Sequence, residues 1–410
     1  MSSRLIFSHP TGNAFVRAAL VHFYEAGILE EFHTSVASYP GNVWDRLSRT
    51  TWGKELRRRR YDERLPLLTV QHPFRELGRM AASRLKFARL TRHETGAFCT
   101  DAIYRDLDKS VAKRLRSNPQ IFTGVYAFED GALETFHAAC ELGFHRFYDL
   151  PIAYWETAQR LLHEEAGRLP AWEPTLGGTR DSAAKLARKT EELELAEVVI
   201  CPSQFVADSL PEMARNKKVV VAPFGSPPSA PVKNFAPSTA KKLRVLFAGS
   251  LTQRKGLGDL FAAMRLLARN DVELVVMGSP QVPMEFYRKE FSGFTYEPVR
   301  PHAQVLELMR TCDVFCLPSI VEGRALVMQE AMSQGLPLII TPNTGGEDLI
   351  DEGETGFLIP IRQPDKIADK IDWFAGHRAA LPEMSRAAQT KAGWLTWEAY
   401  GQTIVNAVLN

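Results

Sequence analysis

The sequence predicts an α/β protein of two Rossmann-like domains, each a parallel sheet covered by helices, with a cleft between them. Three observations carry this. Short β-branched or aromatic runs alternate with longer helical patterns along the whole chain, as parallel strands joined by crossover helices require. The stretch GSPPSAPVKNFAPSTAKK, 225–242, is dense in Pro, Ser and Ala and lacks apolar periodicity, which marks a linker. The length, 410 residues, exceeds what one ordinary core organises and suits two domains.

The first domain is expected over 1–226. Its strands are RLIFSH (4–9), FHTSVAS (32–38), IFTGVYAF (121–128), HRFYDLP (145–151), EVVICPS (197–203) and KVVVAPF (218–224). Helical patterns such as GALETFHAACELG and SAAKLARKTEELELA fill the gaps. The linker is placed at 227–242, and the second domain at 243–394. Its strands are LRVLFAG (243–249), VELVVMG (272–278), DVFCLPS (313–319), PLIIT (337–341) and GFLIP (356–360), with helices near 256–269, 302–311, 325–334 and 363–377. A last amphipathic helix, about 395–410, is expected to pack back on the first domain.

Composition sets limits on function. At 45% hydrophobic and 24% charged residues the chain reads as a soluble globular protein. No apolar run approaches the roughly 18 residues of a membrane span, and the start is too short in apolar residues for a secretory signal. Five scattered cysteines, with Cys312 and Cys316 four apart and no paired His or Cys motif, predict reduced core thiols and no zinc site. A cytoplasmic protein is expected. Net charge is +2, but Arg46 to Arg92 holds fourteen Lys/Arg against four Asp/Glu, including the run Arg57–Arg60. Within it RELGRMAASRLKFARL is a basic amphipathic pattern that suits an anionic membrane surface; the alternative is a solvated helix face with its apolar side on the core. Nucleic acid is not expected, because the rest of the chain is not basic.

The most informative stretch is VEGRALVMQEAMSQG, 321–335. A strand ends at Pro318–Ser319, a loop follows, and a helix starts near Arg324 or Ala325, so its first N–H groups face the cleft and favour anions. Glu322 stands just ahead of that terminus. Glu330 lies about one and a half turns inside, on a largely apolar helix, where its carboxylate needs a partner. A vicinal diol such as a ribose offers two donors; solvent or a neighbouring Lys/Arg is the alternative.

PSIVEGRALVMQEAMSQGLPLIIT followed by GGEDLIDEGETGFLI resembles the nucleotide-sugar site of retaining glycosyltransferases of family four, which have the GT-B fold. AEVVICPSQFVADSL (196–210), VVVAPFG before the linker and VLFAGSLTQRKGLGDLFAAM after it extend the resemblance over about 190–410. It implies that Glu322 contacts the donor sugar and Glu330 grips the ribose, with Gly323, Arg324, Ala325 and Leu326 beside the donor. Relatives more often show an aromatic residue and Gly where Arg324–Ala325 stand, which bears on sugar preference.

In AGSLTQRKG, 248–256, Gly249 and Gly256 allow tight turns. The resemblance places Lys255 at the diphosphate, where it neutralises charge on the leaving group. Ser250 stands where much of the family has Arg, and Arg254 is expected to supply that charge; the alternative is a solvated Arg-Lys pair on a loop. In SHPTGNAFVRA, 8–18, Gly12–Asn13 are expected to face the diphosphate from the other domain, although this is no dinucleotide fingerprint. Glu129, Asp130 and Asp149 end first-domain strands and are expected to project into the cleft, Asp149 at the reaction centre and the other two on the acceptor side. Asp130 alternatively caps the helix that starts near Gly131.

Together these imply a retaining, hexosyltransferase-type enzyme of glycoconjugate synthesis. It would move a sugar from a nucleoside-diphosphate donor to a hydroxyl on a sugar, lipid-linked or small-molecule acceptor. No Asp-x-Asp motif is present, so neither metal nor cofactor is expected. For the basic segment 46–92, peripheral attachment to the inner membrane face and a solvated helix face are the two readings. A sugar-nucleotide epimerase of related architecture and a non-catalytic nucleotide-sugar-binding protein are the alternatives.

Overall fold

The computed structural model describes residues 3–50, 53–231 and 242–410, the Lys54 side chain aside. Seven parallel strands form the first sheet in the order β3-β2-β1-β4-β5-β6-β7. They are β1 Leu5–Ser8, β2 Leu29–Thr34, β3 Thr69–Gln71, β4 Gly124–Phe128, β5 His145–Asp149, β6 Val198–Cys201 and β7 Lys218–Val221. The second sheet runs β10-β9-β8-β11-β12-β13, also parallel. Its strands are β8 Leu243–Ala248, β9 Val272–Met277, β10 Phe294–Glu297, β11 Val314–Leu317, β12 Leu338–Ile340 and β13 Gly356–Leu358. Central strands such as LIFS of β1 and VFCL of β11 are buried throughout, because helices cover both faces.

In both sheets the order reverses beside the first strand, between β1 and β4 and between β8 and β11. Connections leave in opposite directions there and open a crevice at the carboxyl ends, where ligands of such sheets bind.

Local departures from expectation have simple causes. β2 begins at Leu29, earlier than the FHTSVAS run, because Gly27 turns the chain at φ 68° and Leu29 already pairs with Leu5. Beyond Thr34 the backbone leaves the sheet; the Ala37 N–H bonds the Gln71 side chain at 2.9 Å instead of a strand. β3 and β10 are edge strands of three and four residues, paired on one side only, too short to show a pattern.

The chain crosses between domains at adjacent points. The Ser226 N–H donates to the Leu395 carbonyl at 2.7 Å, and a Cβ at Gly225 would lie 2.4 Å from the Trp397 nitrogen. Helix Trp397–Leu409 then packs on helix Ala14–Glu25, burying Tyr400, Ile404 and Val408 in the first-domain core. Of the linker expected at 227–242, residues 232–241 lie outside the described residues; Ala230 is held by Ser333 and Gln389 of the second domain.

A third crossing lies within 1–226. The helix Trp155–Arg168 and the turn Pro170–Thr175 lie against the second domain. Trp172 inserts among Phe261, Phe286 and Tyr287, and its indole N–H reaches Glu290 at 3.2 Å. Buried Glu165 accepts from Gln253 at 2.9 Å and pairs with Arg362, while Arg168 bonds Asp259 at 2.7 Å. PAWEPTLGG has no periodicity from which such a partner could be read. Among the described residues no helix is long and apolar enough to cross a membrane. Among the described residues there is no disulfide, and of the five cysteines only Cys140 is exposed.

Candidate active site

The loops after β8 and β11 diverge at the second sheet's reversal point and face each other. Gly256, at φ 73°, ends the first; a Cβ there would lie 1.9 Å from the Pro318 carbonyl, so only glycine lets the two loops meet. Thr252 caps the short turn Gln253–Lys255, and the Ile320 N–H donates to the Arg254 carbonyl at 2.8 Å. The loop is braced from behind, since the Gln253 N–H donates to Thr175 on the crossing segment at 3.1 Å.

This geometry brings Lys255 Nζ to 2.6 Å and an Arg254 nitrogen to 2.8 Å from Glu322 Oε1. Burial pushes the Glu322 carboxyl up, but Lys255 and Arg254 outweigh it and hold it below the usual carboxylate range. For Lys255 burial dominates, aided by Arg254, and the ammonium is pulled below the ordinary lysine value despite Glu322. Two cations face one carboxylate, so the cluster keeps a net positive charge suited to an anion.

These residues line a cavity of about 1060 Å3 between the domains, which also takes in Gly249, Ser250, Gly323, Ala325, Leu326 and Glu330. Leu326–Ser333 is helical, and Ala325 at its N-cap has no side chain to take its first N–H groups, which therefore remain for a ligand. Glu330 Oε1 lies 2.9 Å from His302 Nε2 at the start of helix His302–Arg310. Gly323 presses on the first domain, where its Cβ would lie 1.8 Å from the Pro151 carbonyl. Ser203 donates to the Gly323 carbonyl at 2.6 Å.

Several side chains expected in the cavity lie elsewhere. Arg324 lines the cavity as expected, but its guanidinium is buried and engaged elsewhere: it bonds the Gly345 carbonyl at 2.9 Å and Gln329 at 2.9 Å, and grips Asp348 through two bonds at 2.8 and 2.9 Å. Asp149 is buried on the Phe147 face of β5, beneath the cavity, where it accepts from the Tyr126 hydroxyl at 2.6 Å. Burial raises its pKa to about 7, and only Pro151 and Ile152 beyond it reach the cavity. Glu129 and Asp130 are turned onto helix Ala183–Leu195, Glu129 3.3 Å from Lys189 and Asp130 2.9 Å from Arg188. Nor does Asp130 cap a helix: Asp108 receives the N–H groups of Glu134 and Thr135 at 2.9 and 2.8 Å. Gly12 and Asn13 line a neighbouring cavity of about 560 Å3 with Arg58, Arg59, Glu76 and Arg79.

Sequence reading missed His302, and it missed Arg57 and Arg58, which reach the main cavity from the first domain. His302 follows Pro301 at a helix start with no motif around it; the arginines were read as part of a surface run. Among the described residues, His93, Glu94 and Asp181 bring metal-ligand atoms together outside both cavities, but Lys185 already stands 3.2 Å from Asp181.

Residues 229–391 match the family model of glycosyl transferases group 1. The matched segment covers about two fifths of this chain. It contains the loops after β8 and β11 and both glutamates. The D-inositol 3-phosphate glycosyltransferase of Paenarthrobacter aurescens is 27% identical over 44% of this chain and 51% of its own length. Matches to the next curated relatives span 34% and 47% of their lengths, so the alignments cover about a third to a half of those proteins. Among solved structures, sucrose-phosphate synthase from Thermosynechococcus elongatus aligns with a TM-score of 0.65 at 15% identity, over 99% of this chain and 98% of that one. The Anabaena protein HepE, in complex with UDP, aligns at 0.62 and 15% identity over 99% of both chains. The two domains thus form the GT-B fold.

Proposed function

We propose that the protein is a retaining glycosyltransferase that moves a hexosyl group from a nucleoside-diphosphate sugar to an acceptor hydroxyl. One observation carries the reading: Lys255, Arg254, Glu322 and Glu330 line a single cavity at a sheet's reversal point, two cations at one end and the Glu330 carboxylate, beside His302, along the helix. The diphosphate lies against Lys255, Arg254 and the first N–H groups of helix Leu326–Ser333. Both cations take Glu322 Oε1, which leaves Oε2 for a sugar hydroxyl. Glu330 accepts from the ribose diol, with His302 beside it.

As the bond from C1 to the diphosphate oxygen breaks, charge grows on the leaving group where the cations already stand, so no reorganisation is needed. The acceptor oxygen bonds C1 from the same face, and its proton passes to the departing diphosphate. Neither a protein base nor a metal ion is required in this reading. UDP, found with HepE, has the diphosphate that this cavity suits.

The test is turnover. Uridine, guanosine and adenosine diphosphate sugars are each incubated with the protein, with and without candidate acceptors. One donor should release its nucleoside diphosphate only when acceptor is present, and proton NMR should find the anomeric configuration retained. Conversion of donor without acceptor would point to an epimerase and overturn the reading.

A further inference from the structure

The helix Pro73–Arg84 buries a carboxylate beside Met80 and Ala82 and leaves an apolar face exposed. Glu76, 2% exposed, points inward, where Arg59 pairs with it and Arg79 bonds it at 2.9 and 2.8 Å. On the opposite face Phe74 is 72% exposed, Leu77 is also exposed, and Leu85 just past the end is 61% exposed. Phe74, Leu77, Ala81 and Leu85 recur every three or four residues and so form one apolar stripe facing out.

Leu47 and Leu56 wall the other side of the stripe and close a groove of about 260 Å3. Most of the large apolar side chains exposed among the described residues fall between Val43 and Leu90. The same segment carries exposed cations: Arg46, Arg57, Lys86, Arg89 and Arg92, with Arg49 paired to Asp45. Water disfavours so large an apolar face, and an acidic peptide would answer the charges but not the hydrocarbon. A layer with an apolar interior and an anionic surface answers both.

The groove lies next to the site. It shares Leu56 and Met80 with the cavity that holds Gly12, Arg59 and Arg79, and that cavity shares Arg58 with the donor cavity. Arg58 is exposed and, among the described residues, has no side-chain hydrogen bond or ion pair. An amphiphile lying along this path would leave its hydrocarbon in the groove and carry its head group past the arginines to the donor.

We propose that this face docks on an anionic lipid surface and that the acceptor is a lipid with a negatively charged head group. The docking stands on the surface itself; the acceptor assignment rests on the transfer reaction proposed above. In that transfer the head-group hydroxyl oxygen bonds the sugar C1, the bond from C1 to the diphosphate breaks, and the hydroxyl proton leaves with the diphosphate.

Co-sedimentation with phosphatidylcholine vesicles, with and without phosphatidylglycerol, tests the docking. Binding should need phosphatidylglycerol and fall with salt. Phe74→Glu and Leu85→Glu, at exposed positions, should each weaken it about tenfold or more while circular dichroism stays unchanged. Sugar transfer into a lipid extract should fall in the same variants and in Arg58→Gln, with calorimetric donor binding of Phe74→Glu and Leu85→Glu intact. If wild type binds no nucleotide sugar, the transfer reading fails and the vesicle result still decides the docking. Equal partitioning to both vesicles, or none to either, overturns the proposal. So does a dimer that either variant converts to monomer, since a second copy would then cover the face.

Discussion

Lys255 Nζ lies 2.6 Å from Glu322 Oε1, although the two residues follow different strands of the second sheet, β8 and β11. The contact exists because those strands are neighbours whose connections diverge, and because Gly256 lets their loops touch. A ligand in the crevice between them meets both side chains at once.

Lys255→Ala should lower turnover by about a hundredfold, as loss of one preorganised charge at a developing anion does, with a smaller change in KM. Steady-state kinetics over a range of donor concentrations separates the two. A rise in KM with unchanged kcat would place Lys255 in ground-state binding alone.

Glu330→Ala should weaken donor binding about tenfold, the worth of a charge-assisted hydrogen bond of roughly 1.4 kcal/mol. Its melting temperature should hold, because the partner it abandons, His302, is exposed. A large loss of stability with unchanged affinity would make Glu330 a structural residue.

Arg324→Met acts on stability first. The variant leaves the Gly345 carbonyl and Gln329 without their donor, and Asp348, half exposed, without its cation. A cost of about 2 kcal/mol is expected in denaturant unfolding, below the 3–5 kcal/mol of a fully buried pair because water reaches Asp348.

Stability should fall as pH rises through the neutral range. Burial raises the Asp149 pKa from an ordinary 3.8 to about 7, so between those values the unfolded chain loses a proton that the folded chain keeps. The contribution is fully present below the unfolded pKa and is lost as pH rises through the folded one. Glu192, which burial raises to about 8, adds a slope of the same sign. Asp149→Asn, which retains an acceptor for Tyr126, should flatten the melting temperature against pH but not abolish the slope. An unchanged profile would mean that Asp149 keeps an ordinary pKa.

Turnover should persist in excess chelator, since Lys255 and Arg254 stand at the leaving group. A strict requirement for added manganese or magnesium would refute the cationic-loop mechanism.

Much of the second domain was legible because its signals are local. Parallel buried strands read as apolar runs, and the loops after β8 and β11 carry their glycines, cations and glutamates within a few residues of a strand end. The roles of Asp149, Glu129 and Asp130 were not legible. A strand's last residue can face the cleft or the core, and which one depends on partners such as Tyr126 and Lys189 that are distant in sequence. Trp172 and Glu165 were missed for a related reason: their partners Phe261 and Arg362 belong to the other domain. The arginines near residue 58 were visible as charge, but their place at the cavity mouth depends on how a short turn packs.

Calorimetric titration of nucleoside-diphosphate sugars into wild type, Lys255→Ala and Glu330→Ala tests the central claim most directly, that these residues share one donor site. One donor should bind wild type at a single site, with affinity lowered about tenfold in Glu330→Ala. No binding by any donor, or binding that neither substitution alters, would contradict it.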